Sequence, residues 1–130
     1  MKAEGRSTDK TAAPRDLRER TTEFALRVVR LYSALPKSIE AQVIGKQALR
    51  SGTSVGAHYR EASRARSKKE FASKLEGGLA ELEETAYWLE LLARAEIVPA
   101  DRLQPLRDEA DELLRIFVTS ARTAKGDRDA

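Results

Sequence analysis

The chain of 130 residues has no cysteine, one histidine (His58) and one tryptophan (Trp88), and aromatic residues make up only 5% of it. Without cysteine there can be no disulfide, no thiolate metal site and no cysteine nucleophile. A single histidine excludes histidine-rich metal sites and leaves a Ser-His-Asp triad only one candidate base. We therefore expect no enzyme activity, no metal and no cofactor.

Long hydrophobic runs are also absent. No apolar segment approaches the roughly 20 residues that a membrane-spanning helix needs. The amino-terminal residues carry charges of both signs and lack the apolar core of a signal peptide. The sequence therefore predicts a soluble, cytoplasmic protein with no membrane partner.

A chain of 14.5 kDa has room for one domain. Residues 1–15 and 125–130 contain no large apolar side chain after Met1, so they cannot offset the entropy lost on ordering. We expect both segments to be disordered tails. One folded domain is expected over residues 16–124.

Apolar residues recur at helical spacing throughout this domain, and no segment shows the alternation typical of a strand. Four helices with short connections pack most simply as an antiparallel up-down-up-down bundle, so an all-α bundle is the predicted fold class. The expected helices cover about residues 16–33, 38–62 and 67–95, and a fourth that begins between 99 and 105 and ends near 124.

Three helix boundaries have a specific signal. Pro36 ends the first helix, because the residue before a proline is pushed out of the helical region. Ser67 and Glu70 have the spacing of a capping box at the start of the third helix. Pro105 is tolerated only in the first turn of the fourth helix, which limits where that helix can begin.

The apolar stripe of each helix predicts its buried face. The predicted core residues are Leu17, Phe24, Val28, Leu31 and Leu35 in the first helix; Ile39, Val43, Ala48, Val55, Tyr59 and Ala62 in the second; Phe71, Leu75, Leu82, Leu89 and Ala93 in the third; and Leu103, Leu106, Ala110, Leu113, Phe117 and Ser120 in the fourth.

Glycine is concentrated inside the second and third helices, although it costs about 1 kcal/mol relative to alanine there. If the two helices form a hairpin that turns about Ala65, then Gly52 faces the level of Gly78. We therefore expect one zone of close approach, which either packs the bundle tightly or admits a neighbouring subunit. Its members are Ser51, Gly52, Gly56, Gly77 and Gly78.

Charge is distributed unevenly. Residues 1–75 carry 17 basic and 8 acidic side chains, whereas residues 76–112 carry 3 basic and 11 acidic ones. The basic residues cluster at the turn between the second and third helices, which in an up-down bundle shares one end with both tails. A basic end is typical of phosphate binding, and the alternative is a solvated turn. The candidate nucleic-acid-binding residues are Arg60, Arg64, Arg66, Lys68, Lys69 and Lys74.

No aromatic residues interleave with this cluster, so RNA or DNA binding there is expected to be weakly sequence-selective. The acidic segment is either a solvated helix face or pairs with a basic surface on another subunit or partner. The four carboxylates Glu81, Glu83, Glu84 and Glu90 lack the Glu-x-x-His pattern of a di-iron bundle. His58 is interpreted as an interior or interface side chain that forms a hydrogen bond.

The third helix is apolar around more than one face near its carboxyl end. Such a stretch indicates either self-association or an enlarged core. The candidate oligomer-interface residues are Tyr87, Trp88, Leu91 and Leu92.

Residues 54–71 (SVGAHYREASRARSKKEF) resemble the central signature of the four helix bundle protein family, also called the 23S rRNA-intervening sequence protein family. The similarity continues through Leu75, Gly77 and Leu79 into residues 81–85 (ELEET) and 87–92 (YWLELL). The first and fourth helices resemble the family in length and pattern. His58 stands where the family usually has asparagine, and Gly78 where serine is frequent.

The resemblance implies a four-helix bundle that assembles as a homo-pentameric ring, with no firmly assigned activity. It also implies a relation to the basic accessory protein of diversity-generating retroelements, which binds nucleic acid and a reverse transcriptase. The expected partners are therefore the chain itself, RNA or DNA, and a reverse transcriptase or other protein. The sequence leaves two functions open: a non-enzymatic oligomer that binds nucleic acid through its basic end, and a purely structural or protein-interaction oligomer.

Overall fold

The computed structural model describes residues 13–126, and within them the chain forms four α-helices and no strand. They are α1 (Ala13–Ser33), α2 (Ile39–Ser63), α3 (Lys68–Arg94) and α4 (Ala100–Lys125). The predicted all-α class is confirmed. None of these four helices is long and apolar enough to cross a bilayer.

The predicted tails lie for the most part outside the described residues. Where they overlap with them, the backbone is helical. Helix α1 begins at Ala13 instead of residue 16. Pro14 lies in its first turn, where backbone N–H groups have no helical acceptor, so the proline costs no hydrogen bond. Helix α4 continues to Lys125 and ends at Gly126, whose φ of 70° is the left-handed conformation that glycine adopts without strain.

Serine side chains begin α2 and α3, as the sequence indicates. The Ser38 hydroxyl accepts the Ala41 N–H at 3.3 Å, and the Ser67 hydroxyl accepts the Glu70 N–H at 3.0 Å. The Glu70 carboxylate accepts the N–H of Arg66 at 3.1 Å, one residue before the position that a capping box uses. Each of these helices therefore has a free amide of its first turn satisfied within the chain.

The position of Pro105 differs from the prediction. It is the sixth residue of α4 and lies in the second turn, not the first. The proline leaves the Asp101 carbonyl without its helical donor, but both residues are exposed, so water can hydrogen-bond to that oxygen. The solvent-facing side of a helix can therefore accommodate a proline beyond the first turn.

The core follows the predicted stripes of α1, α3 and α4. Phe24 and Phe117 are its largest fully buried side chains, and most of the predicted apolar positions of these helices are buried or packed against the core. One position of α4 is wrong: Ser120 is half-buried and Ala121 is buried, so the last step of the stripe is four residues rather than three.

The predicted core of α2 is confirmed at Ala48, Val55, Tyr59 and Ala62 and is wrong at its two first positions. Ile39 and Val43 are 81% and 58% exposed. The buried positions in this part of α2 are instead the small residues Ala41 and Gly45. Helix α1 and the connection after it supply the bulk at this contact. Tyr32 of α1 and Leu35 of the connection lie against Gly45, and Val28 of α1 lies against Gly52. Large side chains on this face of α2 would have no space.

The register of α2 against α3 also differs from the prediction. Ser51 contacts Thr85, His58 contacts Gly77 and Glu61 pairs with Lys74. Gly78 is therefore level with Ala57 and His58, about five residues from Gly52.

The proposed single glycine zone does not exist, because the glycines serve different contacts. Gly52 and Gly56 face α1, at Val28 and Thr21, while Gly78 faces Phe117 of α4. The contacts between α2 and α3 pair residues whose numbers are about five higher in sum than the hairpin about Ala65 requires.

Three polar side chains are fully buried among the described residues, and all are hydroxyls: Thr21, Ser51 and Thr85. The Thr85 and Ser51 oxygens lie 2.7 Å apart and link α2 to α3. Their remaining neighbours are the carbonyls of Gln47 and Glu81, one turn earlier on each helix. The pair therefore crosses the core with its hydrogen-bonding groups satisfied.

Each helix packs against the next, and α4 returns to α1. The α1–α4 contact is the sparsest of these. Arg20 of α1 links these two helices by donating two hydrogen bonds to the Glu109 carboxylate of α4, with N–O distances of 2.8 and 3.1 Å. Across the core, the rings of Tyr59 in α2 and Phe117 in α4 lie with their centroids 6.3 Å apart. The four helices are therefore arranged around one core as a four-helix bundle.

Candidate nucleic-acid interface

The connection between α2 and α3 carries most of the predicted basic residues. Arg64 ends α2 with its backbone N–H bonded to the carbonyls of Glu61 and Ala62, and Ser67 begins α3 in an extended conformation. Only residues 64–67 separate the two helices. The turn is therefore a short, hydrogen-bonded connection that holds its side chains at one end of the bundle.

Two of the six candidate residues are engaged within the fold. The Arg60 guanidinium donates from Nη2 to the Thr22 hydroxyl of α1 at 3.0 Å. The Lys74 ammonium lies 3.5 Å from a carboxylate oxygen of Glu61. Both side chains are half-buried, so they contribute to the packing of the bundle as well as to its charge.

The other four candidates form a compact group that we call the basic turn: Arg64, Arg66, Lys68 and Lys69. All four are exposed. In the part of the chain that the structure describes, none of their side chains has an ion-pair or hydrogen-bond partner. The structure therefore brings together four unneutralised cations within six residues.

The placement of Lys68 and Lys69 is unfavourable for α3 itself. They are its first two residues, where the positive end of the helix dipole favours acidic side chains and disfavours cations. Glu70 supplies the acidic group that this end prefers. Helix stability therefore does not explain the two lysines.

A surface depression of about 300 Å³ lies beside the basic turn. It is lined by Glu61, Arg64, Arg66, Glu70 and Lys74. Its two carboxylates make the depression itself nearly balanced in charge, so the outer rim of the turn, and not the depression, carries the excess of positive potential.

The four candidate interface residues of α3 do not share one environment. Leu92 is fully buried in the core and cannot form part of a surface, which corrects that prediction. Tyr87 is 52% exposed and stacks at a tilt on Trp88, with ring centroids 5.0 Å apart. Trp88 and Leu91 are half-buried. The apolar excess of this segment therefore enlarges the core and also leaves Tyr87 on the surface.

Trp88 belongs to a polar network on the surface between α2 and α3. Its indole N–H donates to the Glu84 carboxylate at 3.0 Å, and Arg50 pairs with Glu84 and with Glu81. The hydrogen bond from Arg50, followed by that from Trp88, holds the pKa of Glu84 below its ordinary value. The same pairing raises the pKa of Arg50.

His58 lies in the contact between α2 and α3. Its Nδ1 is 3.0 Å from the Ser54 carbonyl oxygen, and its ring occupies the space where Gly77 has no side chain. Within residues 13–126, no group of three or more acidic or histidine side chains is placed to hold a metal ion.

Four exposed apolar side chains lie outside every site predicted from the sequence. Leu26 and Val29 of α1 are 45% and 40% exposed, and Ile39 and Val43 of α2 are exposed as well. The signal is present in α1, since Leu26 and Val29 fall outside the apolar stripe of that helix. It does not by itself predict a site, because single exposed apolar residues are common on protein surfaces.

Comparison with known proteins identifies the family. The model for the family described as 23S rRNA-intervening sequence protein matches residues 16–119, from the first turns of α1 to the last turns of α4. A protein of unknown function from the S23 ribosomal protein family of Bacteroides thetaiotaomicron has a similar structure, with a TM-score of 0.76 and 38% identity. The similarity covers 81% of this chain and 97% of that chain. No curated protein matches the chain. The chain therefore belongs to the 23S rRNA-intervening sequence protein family.

Proposed function

We propose that this protein is a non-enzymatic module that binds RNA or DNA through the basic turn. The observation that carries the proposal is the group Arg64, Arg66, Lys68 and Lys69, exposed and without ion pairs in the described chain. Cations of this kind displace the counterions condensed on a phosphate backbone, and this release supplies the affinity of sequence-independent binding.

We also infer that the helices run up-down-up-down, each antiparallel to the next. The contacts support this order, because the α3 partners of Ser51 and Glu61 are Thr85 and Lys74, in descending sequence. Lys125 at the end of α4 pairs with Glu76 near the start of α3 at 2.7 Å. The basic turn then shares its end of the bundle with the start of α1 and the end of α4.

Selectivity among sequences is expected to be low. Phe71, the nearest aromatic residue after the basic turn, packs against the core and offers no stacking platform. Arginine and lysine on an exposed turn contact phosphates without a fixed geometry for base edges. Binding should therefore depend on salt much more than on sequence.

The test is an anisotropy titration of an RNA hairpin and a DNA duplex at several salt concentrations. Replacing the four cations of the basic turn by glutamine should weaken binding of both probes, on the order of tenfold or more at low salt. The slope of log affinity against log salt should become shallower by about 0.7–0.9 for each phosphate that the variant no longer neutralises.

A second quadruple variant controls for net charge. It replaces four exposed cations away from the basic turn by glutamine, namely Lys37, Arg94, Arg102 and Arg115. This variant should retain most of the wild-type affinity. If both variants lose affinity equally, only net charge matters, and if the wild type does not bind at low salt, the proposal is wrong.

The alternative function is a purely structural or protein-interaction oligomer, and the exposed apolar side chains of α1 and α2 favour it. The family resemblance implies five copies, and five chains of 14.5 kDa give about 72 kDa. Light scattering of the purified protein should report that mass. A single chain in solution at micromolar concentration would contradict this alternative.

A further inference from the structure

We propose that the depression beside the basic turn holds one unpaired guanine of a single-stranded nucleic acid, while the basic turn contacts the phosphates of the same strand. The inference rests on the proposed function and deepens it, since it names the kind of strand that this end of the bundle binds best. It adds a modest base preference to binding that depends mainly on salt.

The lining of the depression is mixed in charge, unlike the basic turn itself. The volume of about 300 Å³ is bounded by the cations of Arg64, Arg66 and Lys74 and by the carboxylates of Glu61 and Glu70. A phosphate backbone is attracted by the cations and repelled by the carboxylates. A ligand that suits the whole lining therefore presents N–H donors to the carboxylates as well as phosphates to the cations.

Both carboxylates keep acceptor capacity for such a ligand. One oxygen of Glu70 accepts the Arg66 N–H at 3.1 Å, and one oxygen of Glu61 lies 3.5 Å from the Lys74 ammonium. The second oxygen of each carboxylate accepts no hydrogen bond from a residue that the structure describes. Both side chains are exposed, so a base can reach these oxygens from solvent.

Guanine is the base whose Watson–Crick edge fits a carboxylate. Its N1–H and N2–H are adjacent donors, and carboxylate oxygens accept paired hydrogen bonds of this kind. On the same edge of adenine, cytosine and uracil, every donor lies beside an acceptor, which a carboxylate oxygen repels. Guanine exposes this edge only when it is unpaired, as in single strands and loops.

Two arginines supply the contact with the face of the base. The planar guanidinium group stacks on bases, and it can replace the aromatic residue that this turn lacks. Arg64 and Arg66 line the depression, are exposed and have no side-chain partner in the described chain. Lys68 and Lys69 lie outside the lining, so they remain for the phosphates on either side of the guanine.

Labelled RNA hexamers that differ at one central base test the proposal by fluorescence anisotropy at low salt. The probe with one guanine among uracils should bind the wild type about fivefold more tightly than probes with adenine, cytosine or uracil at that position. An RNA duplex with a central G·C pair should bind like one with a central A·U pair, because the guanine edge is then occupied.

The double variant Glu61→Gln, Glu70→Gln should change two quantities in opposite directions. It should lose the preference for guanine, since an amide has one acceptor oxygen where a carboxylate has two. It should bind the all-uracil probe more tightly, because two negative charges beside the basic turn are removed. Glutamine also serves at the position of Glu70 in a capping box, so α3 should still begin at Lys68, and circular dichroism checks the fold.

A second double variant, Glu40→Gln with Glu83→Gln, is the matched control. It removes two exposed carboxylates that lie outside the depression and have no ion pair in the described chain. The net charge changes by the same amount as in the first variant, and the preference for guanine should be retained.

The possible failures are distinguishable. Equal binding of the four hexamers to the wild type overturns the guanine site and leaves the salt-dependent binding of the proposed function intact. A preference for guanine that survives in the folded variant of Glu61 and Glu70 also overturns it, as does a loss of affinity for all four hexamers alike. Absence of binding to any probe at low salt refutes the proposed function itself, and the guanine site with it.

Discussion

At the scale of single residues, two glycines of α2 that face the same helix should respond oppositely to alanine. A methyl group at Gly52 would lie 2.9–3.2 Å from three side-chain atoms of Val28, which is fully buried, β-branched and unable to turn away. Gly52→Ala should destabilise the fold by about 1–3 kcal/mol. A methyl at Gly56 would meet Thr21 at an ordinary 3.4 Å, so Gly56→Ala should stabilise by up to about 1 kcal/mol.

Urea denaturation followed by circular dichroism measures both free energies of unfolding. Gly78→Ala should behave like Gly52→Ala, because its methyl would lie 2.8 Å from a ring carbon of the buried Phe117. Equal stabilisation by all three substitutions would show that the helices have room to separate, and would contradict the close contacts.

The chain's one tryptophan makes the Glu84 network observable by fluorescence. Since hydrogen bonds from Arg50 and Trp88 lower the pKa of Glu84 in the folded state, the carboxylate stays ionised below its ordinary pKa of 4.5. The stability that it contributes is therefore present above that pH and is lost as the pH falls through the lower, folded value. Because the group is exposed, we expect this contribution to be small.

Trp88 emission should accordingly change with a midpoint below pH 4.5, as the acceptor of its indole N–H becomes protonated. Glu84→Gln should abolish the transition. A midpoint at or above 4.5, or an unchanged titration in the variant, would contradict the network.

At the scale of helices, the end of α3 has a residue that is unfavourable for its conformation. Glu96 has a φ of 60°, and the N–H groups of Glu96 and Ile97 bond to the carbonyls of Ala93 and Leu92. This is the Schellman pattern, whose left-handed position is usually occupied by glycine. Glu96→Gly should therefore stabilise the protein by about 1 kcal/mol, as seen in chemical denaturation.

The reverse substitution at the end of α4 provides the comparison. Gly126 has a φ of 70° in the same capping role, so Gly126→Ala should lower the stability of the last turn. Protection of α4 amides from hydrogen exchange would report the change. No effect of either substitution would mean that these caps are open in solution.

The ends of helices can be predicted from the sequence where nearby side chains cap them. The buried face of a helix cannot be predicted where large side chains from one segment pack against small residues of another. Ser67 and Glu70 signal the start of α3 because their partners are three and four residues away. The inward face of α2 depends on the bulk of Tyr32 in α1 and Leu35 in the connection after it. The hydrophobic pattern of α2 alone predicts Ile39 and Val43 in the core, and that prediction is wrong.

At the scale of the whole molecule, the spacing of apolar residues in the sequence predicts the four helices. The candidate nucleic-acid interface could be predicted only in part. The basic turn is a contiguous run, so its charge is visible in the sequence. The engagement of Arg60 by Thr22, 38 residues away, is a tertiary contact that no local pattern contains. The same limit applies to the exposure of Ile39 and Val43, which depends on how α2 packs against its neighbours.

If the protein both self-associates and binds nucleic acid through the basic turn, the two properties should be coupled. In a closed ring related by rotation, every copy presents its basic turn on the same side. A polyanion can then contact several copies, and linked contacts strengthen binding well beyond one site, by a factor on the order of 10² or more when geometry allows. A long RNA, which reaches several basic turns, should then bind far more tightly than a short oligonucleotide, which reaches one.

The short oligonucleotide should also show a shallower salt dependence than the long RNA, because fewer phosphates are neutralised per complex. Anisotropy titrations with the two probes measure the difference, at a protein concentration where light scattering shows the assembled mass. The variant with glutamine at the four cations of the basic turn should lose most of the gain that the long probe brings, and the variant of Lys37, Arg94, Arg102 and Arg115 controls for net charge. Equal affinity per binding site for the two probes would show that each basic turn acts alone, and would contradict the coupling.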